Sequence, residues 1–359
     1  MTVERHPPRG VASALVALVV LASCSHVNPY YDPSKPHHRP DGFQNIDPQA
    51  ALPVPLSNFL RWKRESFFLE IPAPKMDLTP VRPDLALVRA PTNHFAVTWI
   101  GHATALVQIG NTRVLTDPQF SERAFFVQWM GPKRRQPPGV ALADLPHIDI
   151  VVISHNHYDH LDEDSVRALN AQAGGPPLFV VPLGLERWFT GIGITNVRAL
   201  DWWDHVDVAG ATVTLTPVQH WSRRTLSDTN ESLWGGYVVE GRSHDVTRRF
   251  FFAGDTGYSA QHFREIGARF GPIDLALLPI GAYEPRWFMR PQHVNPEEAV
   301  LIHRDLRAKL SVAVHWGTFQ LTDEALDAPV TDLAAARTKL GVPDDAFIVL
   351  RHGASRQID

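Results

Sequence analysis

Apolar and polar positions divide the chain into three stretches. Residues 11–21 (VASALVALVVL) are apolar without a break, behind a segment that carries Arg5 and Arg9. A run of that length is too short to span a bilayer comfortably and suits the central part of a signal peptide. Residues 25–56 include the Pro-rich stretch NPYYDPSKPHHRPDGFQNIDPQAALPVP, which has neither helical nor strand periodicity. They are expected to form a tether or an arm laid over a domain, with His37 and His38 in solvent. Residues 57–359 are expected to form that domain. It opens with an amphipathic stretch at 57–69, where Phe59, Leu60, Trp62, Phe67 and Phe68 are available for burial. This predicts a short helix, packed on the domain or facing a membrane.

Strand-like alternation follows. Residues 96–100, 105–109 and 113–116 read as a meander with glycine-containing turns, and the apolar run 148–153 (IDIVVI) as a buried central strand. A helix is predicted from Glu163, capped by Asp162, with Val166 and Leu169 on one face. Further strands are expected at 179–181, 212–216, 236–240, 249–252, 275–278, 310–314 and 347–350, and helices at 260–269, 296–305 and 332–340. Many strands with helices among them and no clean βαβ rhythm point to an α+β class, two sheets packed face to face and flanked by helices. No repeat of solenoid length is visible.

Composition changes this picture at two places. A formal net charge of −4 and the lack of any long Lys/Arg block argue against a nucleic-acid partner. Eighteen His residues stand against one Cys, so any bound metal is held by imidazole and carboxylate rather than thiolate. The single Cys closes the apolar run in Leu21-Ala22-Ser23-Cys24, which resembles the lipobox of bacterial lipoproteins. Residues 1–24 are therefore read as a lipoprotein signal segment, with Cys24 as the acylated first residue of the mature chain. Acylation there implies attachment to a membrane, and Ser25 favours the outer membrane of a bacterial envelope, on its periplasmic face.

The strongest chemical signal directly follows the run 148–153. In Ser154-His155-Asn156-His157-Tyr158-Asp159-His160-Leu161-Asp162, three His and one Asp fall within six residues at a strand-to-helix junction. His155 and His157, two apart, can chelate one ion from an extended segment. Asp159 and His160 can turn toward a second where the helix begins. Such nitrogen and oxygen donors suit zinc, with manganese and iron open on donor type alone. His220, Asp255 and His315 each follow a predicted apolar strand, which is how a rigid sheet gathers distant side chains around one site.

The pattern H-x-H-x-D-H followed by His220, Asp255 and His315 resembles that of the metallo-β-lactamase superfamily. The resemblance implies an αββα sandwich, two mixed sheets flanked by helices, that binds two zinc ions. By the same resemblance His155, His157 and His220 hold one ion, Asp159, His160 and His315 the other, and Asp255 bridges them. Asp117, in Leu115-Thr116-Asp117-Pro118, matches a strand-end position expected to orient a ligand histidine by accepting its remaining N–H. Finer segments are similar to the phospholipases D that hydrolyse N-acyl-phosphatidylethanolamine. They include Trp99-Ile100-Gly101-His102-Ala103-Thr104, Gln219-His220-Trp221, the run from Ile280 to Met289, the run from Gln292 to Ala299 and His315-Trp316-Gly317-Thr318-Phe319.

That similarity implies a phospholipid substrate cleaved to phosphatidic acid and an N-acylethanolamine. Asp255 would also accept a proton from the attacking water, and His293, with Gln292 beside it, would bind the phosphate or the leaving oxygen. It further implies a homodimer. A small phosphodiester or a lactone is the alternative substrate on the same fold. A lipoprotein that binds without turnover would show a broken ligand set, and none of the seven positions is broken.

Overall fold

Two seven-stranded sheets arise from the alternation, and each starts antiparallel and finishes parallel. The computed structural model describes residues 27–47, 50, 52–90 and 94–358; the apolar run 11–21 and Cys24 lie outside the described residues. In the first sheet His94–Gly101, Thr104–Gly110 and Thr112–Thr116 pair antiparallel, and Ile150–Val152, Leu178–Pro182 and Val197–Leu200 add in parallel. Ser355–Gln357 closes its other edge. In the second, His205–Val208, Ala211–Thr216, Gly236–Ser243 and Val246–Phe252 are antiparallel, followed in parallel by Leu275–Pro279, Leu310–Val314 and Phe347–Ile348. Parallel neighbours need crossovers. The helices Glu163–Asn170, Glu186–Gly191, Ala260–Phe270, Pro296–Asp305 and Ala328–Leu340 lie in them. This partial βαβ character was hidden in the sequence by strands of three to five residues and connections of uneven length.

The two-residue period of a strand sorts its side chains into layers. Val97, Val107, Val114, Ile150 and Val152 of the first sheet share one buried cluster with Val213, Leu215, Tyr237 and Val239 of the second. The alternate residues Leu106, Leu115, Val151 and Ile153 pack instead with Val166, Leu169 and Phe189 of the flanking helices. The result is a helix–sheet–sheet–helix sandwich. Tyr237 ties the sheets together, its hydroxyl donating toward Ile153 O at 2.9 Å and Val180 O at 3.1 Å.

Two expectations change in the N-terminal region. His38–Arg39 and Gly42–Phe43 pair as a small hairpin, and Phe43 enters the main core. His37 and His38 are buried rather than solvated, with Nε2 atoms 2.7 and 2.9 Å from the two oxygens of Asp201. The cause is a long-range partner that local sequence could not show. Asp201 also accepts from Lys35 Nζ at 2.5 Å and Trp202 N at 2.8 Å. Burial disfavours its charge, but the bonds from His37 and Lys35 outweigh that and hold its carboxyl below the usual range.

Asp201→Asn should cost about 2–3 kcal/mol at neutral pH, because two imidazoles and an ammonium lose their anion. A depressed folded-state pKa gives stabilisation that is complete above the unfolded value of about 4 and is lost as pH falls through the folded one. Denaturant melts of variant and wild type should differ most near neutrality and converge in acid. Equal midpoints at pH 7 would show that the cluster does not hold the arm.

The expected first helix forms at Leu56–Phe67, with only Trp62 buried. Trp62 stacks on Phe288 at 4.9 Å and donates from Nε1 to Asp323. Phe67 and Phe68 remain 82% and 80% exposed, so the helix does not spend its aromatic face on the core. Among the described residues no helix is long and apolar enough to cross a membrane.

Candidate metal centre

Each expected ligand stands past the C-terminal end of a strand. Ile150–Val152 leads into the run from His155 to His160, after which Asp162 caps Glu163–Asn170 by accepting from Ser165 N. His220 comes after Ala211–Thr216, Asp255 after Val246–Phe252, and His315 directly after Leu310–Val314. Gly254 has φ +60°, and a Cβ there would come within 2.4 Å of Ser154 Cβ. Only glycine lets the turn into Asp255 press so closely on the histidine run.

The seven residues converge as two groups around one carboxylate. In the first, His155 Nε2 lies 2.8 Å from His157 Nδ1, which lies 3.3 Å from His220 Nε2. Burial keeps these rings neutral, with His155 well below its ordinary value, His157 down at about 4 and His220 at about 3. They present lone pairs to one another. In the second group, Asp159 Oδ2 is 3.4 Å from both His160 Nε2 and His315 Nε2.

Asp255 lies between the groups. Its Oδ2 is 3.1 Å from His160 Nε2 and 4.0 Å from both His155 Nε2 and His220 Nε2, and its Oδ1 is 3.1 Å from His315 Nε2. Burial opposes charge on all four members of this carboxylate–imidazole set, but their mutual attraction wins. His160 is held well above its ordinary value and His315 is raised to about 9, while Asp159 and Asp255 stay well below the carboxylate range.

The donor atoms fit metal. His160 Nε2, His315 Nε2 and Asp255 Oδ1 are buried without a hydrogen bond. Unpaired polar atoms are costly in a core unless a cation satisfies them. His155, His157 and His220 would hold one ion and Asp159, His160 and His315 a second, with Asp255 reaching both. The cluster of His37, His38 and Asp201 also has ligand chemistry, but there the carboxylate already accepts from Lys35, both imidazoles and a backbone N–H. It is a hydrogen-bonded latch.

Supporting contacts come from residues the ligand pattern does not contain. Asp117 is fully buried, accepts from Ser154 N at 2.7 Å and Ser154 Oγ at 2.5 Å, and lies 2.6 Å from His160 Nδ1. Ser154 Oγ is in turn 2.9 Å from His155 Nδ1, so one carboxylate orients a ring in each group. Burial pushes the Asp117 carboxyl up against the pull of His160.

Gln292 enters through its main chain, its carbonyl lying 3.0 Å from His220 Nδ1, while its side-chain amide faces the Met289 sulfur. His293 Nδ1 is 3.8 Å from Asp255 Oδ2. Arg286 holds the His293 carbonyl at 2.9 Å and pairs with Glu298 at 2.7 Å. Sequence reasoning missed Asn45, whose side chain brackets the His220 backbone, accepting from its N–H at 3.1 Å and donating to its carbonyl at 2.9 Å. It also gave no role to His102, whose only sequence signal was its place after Gly101 in a quoted motif.

Known proteins are similar to this chain. The model of a β-lactamase superfamily domain matches residues 112–316. An N-acyl-phosphatidylethanolamine-hydrolyzing phospholipase D 1 of Caenorhabditis elegans is 45% identical over 272 residues, 71% of this chain and 74% of its own length. An uncharacterized protein of Mycobacterium tuberculosis is 41% identical over 311 residues, 84% of this chain and 79% of its own. Among solved structures, an isothiocyanate hydrolase from Delia radicum gut bacteria has a TM-score of 0.57 over 73% of this chain and 98% of its own, at 22% identity, a likeness of fold alone. With its candidate ligand residues at the strand ends of a two-sheet sandwich, the chain belongs to the metallo-β-lactamase superfamily and is a metal-dependent hydrolase.

Proposed function

We propose that this hydrolase is a dinuclear zinc phosphodiesterase of phospholipase D type, acting on N-acyl-phosphatidylethanolamine or a related phospholipid. The observation that carries the reading is the centre itself, two imidazole-rich groups sharing Asp255, in a chain 45% identical to a nematode enzyme of that name. When bound, two zinc ions supply a nucleophilic oxygen at neutral pH and positive charge for a phosphodiester's oxygens. Asp255 faces both groups and can accept the proton that leaves the attacking water. Burial holds His293 neutral, down at about 3, so it serves as a hydrogen-bond donor to phosphate or to the leaving oxygen. Water adds its oxygen to phosphorus and gives a proton to Asp255, the bond from phosphorus to the ethanolamine oxygen breaks, and that oxygen leaves as N-acylethanolamine on taking up the proton from Asp255.

Exposed aromatic residues favour a lipid over a small soluble ester. Phe126 and Trp129 are 64% and 76% exposed, and Phe126 neighbours Tyr158 of the histidine run. Phe67 and Phe68 end the helix that packs on Phe288, four residues before Gln292. Acylation of Cys24 would hold these faces near the bilayer, on the periplasmic side of an outer membrane. Cys24→Ser should then move the protein from the membrane to the soluble fraction; retention on the membrane would sink the anchor.

The functional test is phosphatidic acid release from vesicles of N-acyl-phosphatidylethanolamine and of plain phosphatidylethanolamine. Release by metal-loaded protein is expected, and the ratio between the two lipids reads head-group choice. No release from either, beside hydrolysis of a small phosphodiester or a lactone, would overturn the lipid assignment.

A further inference from the structure

His102 is outside the seven-ligand set yet touches two of its members. Its Nε2 lies 2.9 Å from Asp159 Oδ2, the same oxygen that faces His160 and His315. Its carbonyl accepts from His315 N at 2.9 Å, and its own N–H goes to Thr318 Oγ1 at 2.7 Å. The ring lies 4.0 Å from that of His315 and 5.3 Å from that of His160, centroid to centroid, and both belong to the second group. The residue is 1% exposed and has φ +54°, a left-handed value that costs energy in a non-glycine residue. Strain held at this point, beside the centre, calls for a return in positioning.

A carboxylate oxygen only accepts, so the ring proton of a neutral His102 belongs on Nε2, aimed at Asp159. We propose that His102 is a positioning residue for one of the two ions. Its Nε2–H fixes the rotamer of Asp159, and its carbonyl fixes the backbone of His315, so that one residue sets two ligands of the same ion together. The donated hydrogen bond would also draw charge from the ligating oxygen and leave an ion held there more electrophilic than it would be without His102. The inference rests on the two-ion reading above and is independent of the lipid substrate.

The test is metal content of the whole protein against graded chelator, for wild type, His102→Gln and His102→Leu, with the melting temperature of each metal-free protein beside it. Glutamine keeps an N–H donor at the reach of Nε2, and leucine keeps only bulk. Wild type should release two equivalents in two steps. His102→Leu should move one step by about 10–100-fold in chelator and leave the other in place, with the metal-free melting temperature unchanged, and His102→Gln should restore most of the shift. If the leucine variant does not fold, His102→Asn replaces it, being at ease with positive φ but too short to reach Asp159, and should show the same single shift.

Unchanged steps, both steps moving together, or a glutamine variant no better than leucine would overturn the role. A wild type that binds one equivalent in a single step would refute the two-ion reading and the role with it. Two equivalents without phospholipid turnover would refute only the substrate.

Discussion

Asp255→Asn should lower turnover by about a thousandfold or more, roughly 4 kcal/mol in the barrier, and leave at most one metal equivalent bound. The carboxylate reaches both halves of the centre directly, with oxygens 3.1 Å from His160 and His315 and 4.0 Å from His155 and His220. An amide keeps the shape but has one accepting oxygen, and its NH2 meets rings that need an anion. The variant also loses the acceptor assigned to the attacking water's proton. Metal analysis and kinetics on one preparation check both effects. Two tightly held equivalents with near-normal turnover would remove Asp255 from the centre.

Asp117→Asn ranks second, with an expected loss of about 10–100-fold in metal affinity or turnover. Asp117 touches no expected substrate path. It accepts from both donors of Ser154 and faces His160 Nδ1. As a carboxylate it keeps the His160 proton on Nδ1 and leaves the Nε2 lone pair for metal. An asparagine that turns its NH2 to that ring requires the opposite tautomer, which places a proton where the metal should be. The effect should therefore show as weaker metal binding first and slower turnover as a consequence. A variant that melts earlier yet titrates metal like wild type would assign Asp117 to stability alone.

The sandwich, and the convergence of the candidate ligands, were legible in the sequence because both are written in buried strands. Runs such as 148–153 and 310–314 are apolar at all but one position, and each candidate ligand follows such a strand. In the two large sheets, the strands that escaped notice, Val197–Leu200, His205–Val208 and Ser355–Gln357, are all sheet edges. They are three or four residues long and only partly buried, so no apolar run marks them, and the alternation of His205–Val208 is too brief to stand out. The arm was misread at His37 and His38 for a different reason, since their partner Asp201 is adjacent in space only. Asn45 and His102 escaped on the same ground. Candidate ligands announce themselves by spacing, whereas the groups that hold them in place, Asp117 at its strand end excepted, bond to backbone or to distant carboxylates and leave no local pattern.

The central claim is hydrolysis at phosphorus by this metal centre, and isotope tracing reads it directly. Metal-loaded protein would be given N-acyl-phosphatidylethanolamine vesicles in water enriched in oxygen-18, and the products weighed by mass spectrometry. One heavy oxygen is expected in phosphatidic acid, none in N-acylethanolamine, and neither product from Asp255→Asn. Heavy oxygen in a freed fatty acid, or no phosphatidic acid from protein that holds two metal equivalents, would contradict it.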